Sequence, residues 1–141
     1  MKAQKVLVAY DGSETSHKAL EQAKEIAMKN EQAEINVMIV CQMSFVPDSF
    51  AYQQHALECQ KSAEKAREYA EDYLKDLKNN KDVIVKTGHA SSTIVDFAKN
   101  EGVDLIIIGN RGLGGVRRFF LGSVSHHVVQ DVECHVLVVK S

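Results

Sequence analysis

The densest chemical signal in the sequence is GNRGLGGVRRFFLGSVSHH, from Gly109 to His127. It holds five of the chain's eight glycines, so the main chain there can turn sharply and approach a ligand with no Cβ in the way. An apolar run precedes it and a helix-spaced segment follows, the setting in which backbone N–H groups converge on an anion. Gly109 and Gly112 stand where the backbone would come close to that ligand. Gly122 and Ser123 set a hydroxyl and free amides at the amino end of the next helix, whose dipole favours negative charge by about 0.3–1 kcal/mol at a surface and up to about 2 kcal/mol when partly buried. Charge agrees with geometry. No Asp or Glu occurs between Leu105 and Gln130, while Arg111, Arg117 and Arg118 add positive charge to a chain whose 17 basic and 19 acidic residues sum to −2. The pattern points to phosphate. It is not a P-loop, since GxxxxGK followed by Ser or Thr is absent, nor the dinucleotide fingerprint, which belongs after a first strand. A solvated glycine loop, or one ordered only by dimer contacts, is the alternative that spacing leaves open.

Other residues carry weaker signals. Asp11, in VAYDGSETS, is a carboxylate at a strand end that can accept from a ribose or hold magnesium through water, and equally can cap the helix that follows. Gly88 either admits a ligand to the backbone or makes a plain tight turn. His126 and His127, adjacent in a helix, point about 100° apart and do not share a metal easily. His55 and Cys59 fall on one helical face but lack a third zinc ligand. Ser123 sits in GSVS, not in a GxSxG elbow, which argues against a hydrolase triad.

The elements that position these residues follow from two alternating periods. Val- and Ile-rich runs at Lys5 to Tyr10, Glu34 to Cys41, Asp82 to Thr87, Val103 to Gly109 and Cys134 to Lys140 predict five strands. Helical spacing predicts helices from Ser13 to Asn30, Gln54 to Asn79, Ser92 to Asn100 with Ser91 as N-cap and Gly102 as stop, and Ser123 to Asp131. The turn-prone polar cluster KNNKD ends the second helix. This order favours an α/β fold: an open, doubly wound parallel sheet with right-handed crossovers and helices on both faces. Ligands of such sheets bind beyond the carboxyl ends of the strands, where strand order reverses. The loops to search are therefore Asp11 to Ser13, Gln42 to Gln53, Gly88 to Ser91 and Gly109 to Gly122.

Composition sets outer bounds. The 141 residues, 45% hydrophobic and 26% charged, suit one soluble globular domain, taken as 1–141. The slightly acidic balance argues against nucleic acid as a partner. No apolar run reaches the 18 to 20 or so residues of a membrane span, and the apolar stretch at the start is too short for a signal peptide, so a cytoplasmic location is expected, with no membrane partner. Three cysteines, Cys41, Cys59 and Cys134, lack CxxC spacing; reduced thiols are the expectation.

Two segments, VLVAYDGSETSHKAL and GVDLIIIGNRGLGGVRRFFLGSVSHHVV with CHVLVV after it, resemble the universal stress protein family over essentially the whole chain. The motif G-x2-G-x9-G-S/T, met by Gly109, Gly112, Gly122 and Ser123, resembles that of the family's ATP-binding branch. The resemblance implies a Rossmann-like fold of the adenine nucleotide α-hydrolase type, with strand order 3-2-1-4-5. It implies that Ala9, Tyr10 and Asp11 line the adenosine end, that Val40 offers backbone groups to adenine, and that Gly88 flanks the pocket. Gly109, Arg111 and Gly112 would bracket ribose and phosphates, and Gly122, Ser123, Val124 and Ser125 would hold the phosphate tail. It further implies ATP, or AMP or ADP, with Mg²⁺ or Mn²⁺, and a homodimer through the last strand. Two positions depart from the family's frequent proline, His135 and Ala90. The function so implied is a nucleotide-dependent sensor or adaptor in the stress response. The competing readings are a slow ATPase or autophosphorylating enzyme, and a structural dimer that binds no nucleotide.

Overall fold

The structure, a computed structural model, describes residues 5–42, 50–111 and 122–140. Elements follow one another as β1 (Lys5–Ala9), α1 (Glu14–Lys29), β2 (Glu34–Cys41), α2 (Phe50–Leu74), β3 (Lys81–Thr87), α3 (Ala90–Asn100), β4 (Leu105–Gly109), α4 (Ser123–Asp131) and β5 (His135–Val139). The five strands form one parallel sheet in the order β3-β2-β1-β4-β5, with β1 paired to β2 on one side and to β4 on the other. The expected architecture and strand order are both present. The chain winds outward from β1 to β3, returns across the sheet, and continues from β4 to β5, so the reversal lies between β1 and β4.

Alternate side chains of each strand enter different layers. Val6, Val8, Ile35, Val37, Ile39, Leu105 and Ile107 meet the apolar stripes of α1 and α2 on one face. Leu7, Met38, Ile106 and Ile108 meet Ile94, Val95, Ala98 and Val128 of α3 and α4 on the other. Because both faces are covered, β4 reads LIIIG with no polar alternation and every residue buried. At the edge of β4 remote from the glycine loop, the Asp104 carboxylate accepts from the Lys5 amide at 2.8 Å, and the Asp104 amide donates to the Lys5 carbonyl at 2.9 Å. These bonds set the β1–β4 register, which decides what faces what at the opposite edge.

Three local expectations are corrected. Helix α3 begins at Ala90 with His89, not Ser91, at its N-cap position. The His89 carbonyl accepts from the Thr93 amide and from the Thr93 hydroxyl, and the Ala90 amide donates to the Gln42 side chain, so a tertiary acceptor together with these local bonds carries the helix start two residues earlier. Helix α2 starts at Phe50 and stops at Leu74, well short of the KNNKD turn. In that turn Asn79 is buried and its amide nitrogen donates to the carbonyls of Asn30 and Ala33 at 2.9 and 2.8 Å, stapling the end of the α2 segment to the α1–β2 turn. Finally, Cys41 and Cys59 are not free thiols. They form a disulfide between β2 and α2, with Cα atoms 5.8 Å apart, inside the range such bonds require. Eighteen residues separate them in sequence, so no local motif announces the pair.

Candidate nucleotide site

The carboxyl edge of the sheet collects nearly all the residues singled out by the sequence. Strand pairing puts Val8 opposite Ile107, so the chain leaving β1 at Ala9, Tyr10 and Asp11 emerges beside the chain leaving β4 at Gly109 and Arg111. On the far side of β1, the Tyr10 amide donates to the Met38 carbonyl at 2.9 Å, which brings Val40 to the same edge. Gly88 closes the row through its amide, which donates to the Cys41 carbonyl at 2.9 Å. Its φ of 152° is one that side chains rarely adopt. Gly122, Ser123, Val124 and Ser125 begin α4 above the end of β4, with the Gly122 amide donating to the Asn110 carbonyl. Gly112, Arg117 and Arg118 lie outside the described residues.

Each side chain has a definite local task. Asp11 is exposed, and its Oδ1 accepts from the Ser13 amide at 2.9 Å, an Asx turn that leads into α1. The helix cap itself is Ser13, whose hydroxyl accepts from the Ser16 amide. Tyr10 turns inward. Its ring is 3% exposed, its hydroxyl lies 3.0 Å from Nδ1 of His17, and it stacks toward Tyr69 at 6.2 Å. Burial foremost, then Tyr69 and Asp11, holds its phenol well above its ordinary pKa, so it is a neutral part of the core and only its backbone faces the edge.

Gly109 is a glycine for a packing reason. A Cβ there would overlap the side chain of Thr15, lying 2.7 Å from its Cβ and 3.1 Å from its carbonyl carbon. The start of α1 rests directly on the end of β4. Thr15, 2% exposed, donates its hydroxyl to the Arg111 carbonyl at 2.7 Å and so ties α1 to the start of the glycine loop. Gly122 is needed at the other end of that loop, where a Cβ would stand 3.1 Å from the Asn110 carbonyl oxygen and 3.3 Å from Arg111 Cα. Its φ of −64° asks nothing special of the backbone.

Among the described residues no side chain caps the start of helix α4, and its first turn has no acidic residue. Its first N–H groups lack intrahelical acceptors by construction, and its dipole leaves that end positive. The Ser125 hydroxyl is directed at the Gly122 and Asn110 carbonyls, at 3.0 and 3.3 Å, and stabilises the turn; Ser123 is exposed. A helix amino end at the sheet's reversal point is an arrangement able to accept an anion.

A model of the universal stress protein family matches residues 2–140. The chain belongs to the universal stress protein family. It is 35% identical over 147 residues to the universal stress protein YxiE of Bacillus subtilis, covering 96% of this chain and 98% of that one. Among solved structures, the hypothetical protein MJ0577 superimposes with a TM-score of 0.89 at 27% identity, covering 100% and 98% of the two chains. A universal stress protein solved in complex with cAMP matches with a TM-score of 0.75 at 26% identity over 99% and 98% of the chains. The fold is shared further with At3g01520 of Arabidopsis thaliana, solved with AMP bound, at a TM-score of 0.71 and 21% identity over 97% and 91% of the chains.

Two residues of this universal stress protein's candidate site were not singled out by sequence reasoning. Thr15 gives no signal except its place opposite Gly109, which only the packing of α1 on β4 reveals. Asn110 is 4% exposed, and among the described residues its buried Oδ1 has no hydrogen-bond partner, although its backbone carbonyl serves both Gly122 and Ser125. A polar residue directly after an apolar strand was the available hint. His126 and His127 are exposed, their ring centroids 6.2 Å apart, with His127 Nδ1 donating to the Ser123 carbonyl at 2.8 Å. His55 lies 3.3 Å from the Gln42 carbonyl, and its neighbour Cys59 is held in the disulfide. Among the described residues no helix is long and apolar enough to cross a membrane.

Proposed function

We propose that this universal stress protein binds an adenine nucleotide, ATP foremost with ADP and AMP as alternatives, together with Mg²⁺ or Mn²⁺. It acts in the cytoplasm as a nucleotide-dependent sensor or adaptor, and works as a homodimer joined through β5. The observation that carries the reading is the uncapped amino end of α4 at Gly122 and Ser123, held against Asn110 and Arg111 at the reversal point between β1 and β4. The amides of Ser123, Val124 and Ser125 would donate to the phosphate tail, and Arg111 would neutralise it. The exposed carboxylate of Asp11, across the reversal point, would accept from the ribose hydroxyls. Backbone groups at Ala9, Tyr10 and Val40 would border the base, with Gly88 beside it.

The donor set suits a divalent cation in one mode. Magnesium commonly takes one or two protein carboxylates and completes its shell with water and phosphate oxygens, and Asp11 supplies such a carboxylate. Among the described residues no three His, Cys, Asp or Glu side chains cluster, so no all-protein cage is drawn. When bound, the cation would neutralise phosphate charge.

Binding adenine nucleotide is consistent with relatives solved with cAMP and AMP. The pairing of copies is supported by β5, which pairs with β4 on one side and, among the described residues, with no strand on the other, while Leu137 is 39% exposed. An apolar edge left open is an aggregation hazard that a second copy would remove.

Thermal unfolding with ATP, ADP, AMP and cAMP tests the reading. Nucleotide at about 100 times its Kd adds roughly 2.7 kcal/mol, a rise in Tm on the order of 5–10 °C for a chain of this size. The variant Gly122→Val keeps an allowed φ but crowds Asn110 and Arg111, and is expected to lose most of that rise. An unchanged rise would remove the amino end of α4 from the site, and no rise with any of the four nucleotides would overturn the reading. Chromatography of products from radiolabelled ATP separates binding from the slow ATPase alternative.

A further inference from the structure

Strand β3 closes the sheet on the side opposite β5, and among the described residues it pairs only with β2. The Ile35 amide donates to the Asn80 carbonyl and the Gly88 amide to the Cys41 carbonyl, each at 2.9 Å, so the even-numbered residues of this segment turn their main chain toward β2. Alternation then turns the N–H and C=O groups of Lys81, Val83, Val85 and Thr87 outward, along the open edge. Five of the seven residues of β3 are exposed, Val85 among them, so the flanking helices leave the strand open. Its side chains carry a pattern that matches itself. Asp82, Ile84 and Lys86 share one face of β3, with Lys86 Nζ 5.9 Å from the centre of the Phe97 ring in α3; Val83 packs on the other face, in the core covered by α1 and α2, and Val85 follows it there. When a second copy is laid antiparallel with Ile84 opposite its own counterpart, the outward groups of Val83 meet those of Val85 of the second copy, and each such pair exchanges two hydrogen bonds. Asp82 then falls opposite Lys86 of the second copy, and Lys86 opposite its Asp82, in the close pairs where side chains meet across strands. Sliding one copy by two residues in either direction sets Asp82 or Lys86 against Ile84 instead, which fixes the register. Lysine on an open edge ordinarily blocks pairing, but here Lys86 meets a carboxylate. Among the described residues neither Asp82 nor Lys86 is in an ion pair, and the Arg67 guanidinium, which feels Asp82, is bonded to Glu71 at 2.8 Å.

We propose that the open edge of β3 binds a second copy of this chain through an antiparallel β3–β3 contact centred on Ile84, with Asp82 and Lys86 paired across it. The same patch serves both copies, related by a two-fold axis. One strand pair buries less than the roughly 1,000 Å² of a lasting interface, so the contact is weak and forms in concentrated protein. It uses the edge remote from β5 and none of the residues assigned to the nucleotide, so it joins copies already paired through β5 into larger assemblies.

Sedimentation equilibrium of the full-length chain from about 10 μM to about 1 mM tests it, in a Leu137→Lys background so that pairing through β5 does not contribute. The mean mass of this background should climb from 15.7 kDa toward twice that value. Asp82→Lys sets lysine against lysine and Lys86→Asp sets carboxylate against carboxylate, so either change alone should weaken association about 10-fold. Mixed one to one, the two variants restore opposite charges at both pairs and should associate as the background does. Both positions are exposed, and circular dichroism checks that each variant keeps the fold. The proposal is overturned if the background stays monomeric at the highest concentration, which would leave this edge to a strand of another protein or to none. It is also overturned if either single variant associates as the background does, or if the mixture associates no better than its components. Failure of the β5 reading is seen separately, as equal masses for the parent and Leu137→Lys in dilute protein.

Discussion

If Gly109 is a glycine because α1 rests on it, replacing it with alanine should weaken the protein even when no ligand is present. The added Cβ would stand 2.7 Å from Thr15 Cβ and 3.1 Å from the Thr15 carbonyl carbon, where carbon atoms in contact prefer about 3.5–4 Å. A rotamer change cannot relieve this, because Cβ and the carbonyl carbon move only with the helix. The first turn of α1 must shift by roughly half an ångström or more, and Thr15 is 2% exposed in a packed layer. Overpacking of this type costs about 1–3 kcal/mol. For a domain of this size that is a fall in Tm of roughly 3–12 °C, with the urea m-value unchanged because the surface exposed on unfolding is the same. The displacement would also stretch the 2.7 Å bond from the Thr15 hydroxyl to the Arg111 carbonyl, so nucleotide affinity should drop as a secondary effect. The double variant with Thr15→Gly removes the collision and should recover part of the loss beyond the sum of the single effects, a coupling that urea titration of all four proteins measures. Ligand approach as the sole reason for Gly109 makes the opposite forecast: the free protein keeps its stability and only nucleotide binding suffers. A Gly109→Ala protein within about 0.5 kcal/mol of the parent in the absence of nucleotide would refute the packing argument.

Asn79→Ala should lower stability by about 2–4 kcal/mol, since it removes two donors and leaves the Asn30 and Ala33 carbonyls without them; chemical denaturation checks this, and a loss under about 0.5 kcal/mol would mean water replaces the amide. Tyr10 has its pKa raised above the ordinary value of 10, so the stability it confers by staying protonated is complete below pH 10 and is lost as pH climbs from there toward the folded value. Its share of the alkaline slope is at most about 1.4 kcal/mol per pH unit, and Tyr10→Phe should flatten denaturation midpoints plotted against pH above 10, an identical slope counting against the assignment. If copies pair through β5 as proposed, Leu137→Lys should leave a monomer of 15.7 kDa by light scattering without altering the far-ultraviolet circular dichroism. A dimer that survives this substitution would have to pair elsewhere.

The fold was legible because its determinants are local and periodic. The Val- and Ile-rich runs coincide with all five strands to within a residue or two, and the buried run LIIIG needed only its lack of alternation to mark a strand covered on both faces. Helix ends were less legible wherever a distant group supplies the bond. The start of α3 depends on Gln42, 48 residues away, and the turn after α2 depends on carbonyls of Asn30 and Ala33. The candidate site was legible in its place on the fold and partly in the reason for its glycines. Glycine spacing and the absence of acidic residues pointed to the edge of the sheet where the chain reverses. That Gly109 accommodates Thr15, and that Asp11 shapes the entry to α1, follows only from strands brought side by side.

By itself, then, the order of residues determined which segments are strands and helices, which stripe of each is apolar, and where a positively biased glycine loop must fall, because these depend on neighbours a few positions apart. The tertiary structure alone decided that Thr15 clasps Arg111 across 96 positions, that Asn79 is a buried staple and that Cys41 meets Cys59. Those pairings arise when α1 and α2 are laid over particular strands, and the crossing of a helix over a sheet is set by the packing of whole layers, which no short window of sequence contains.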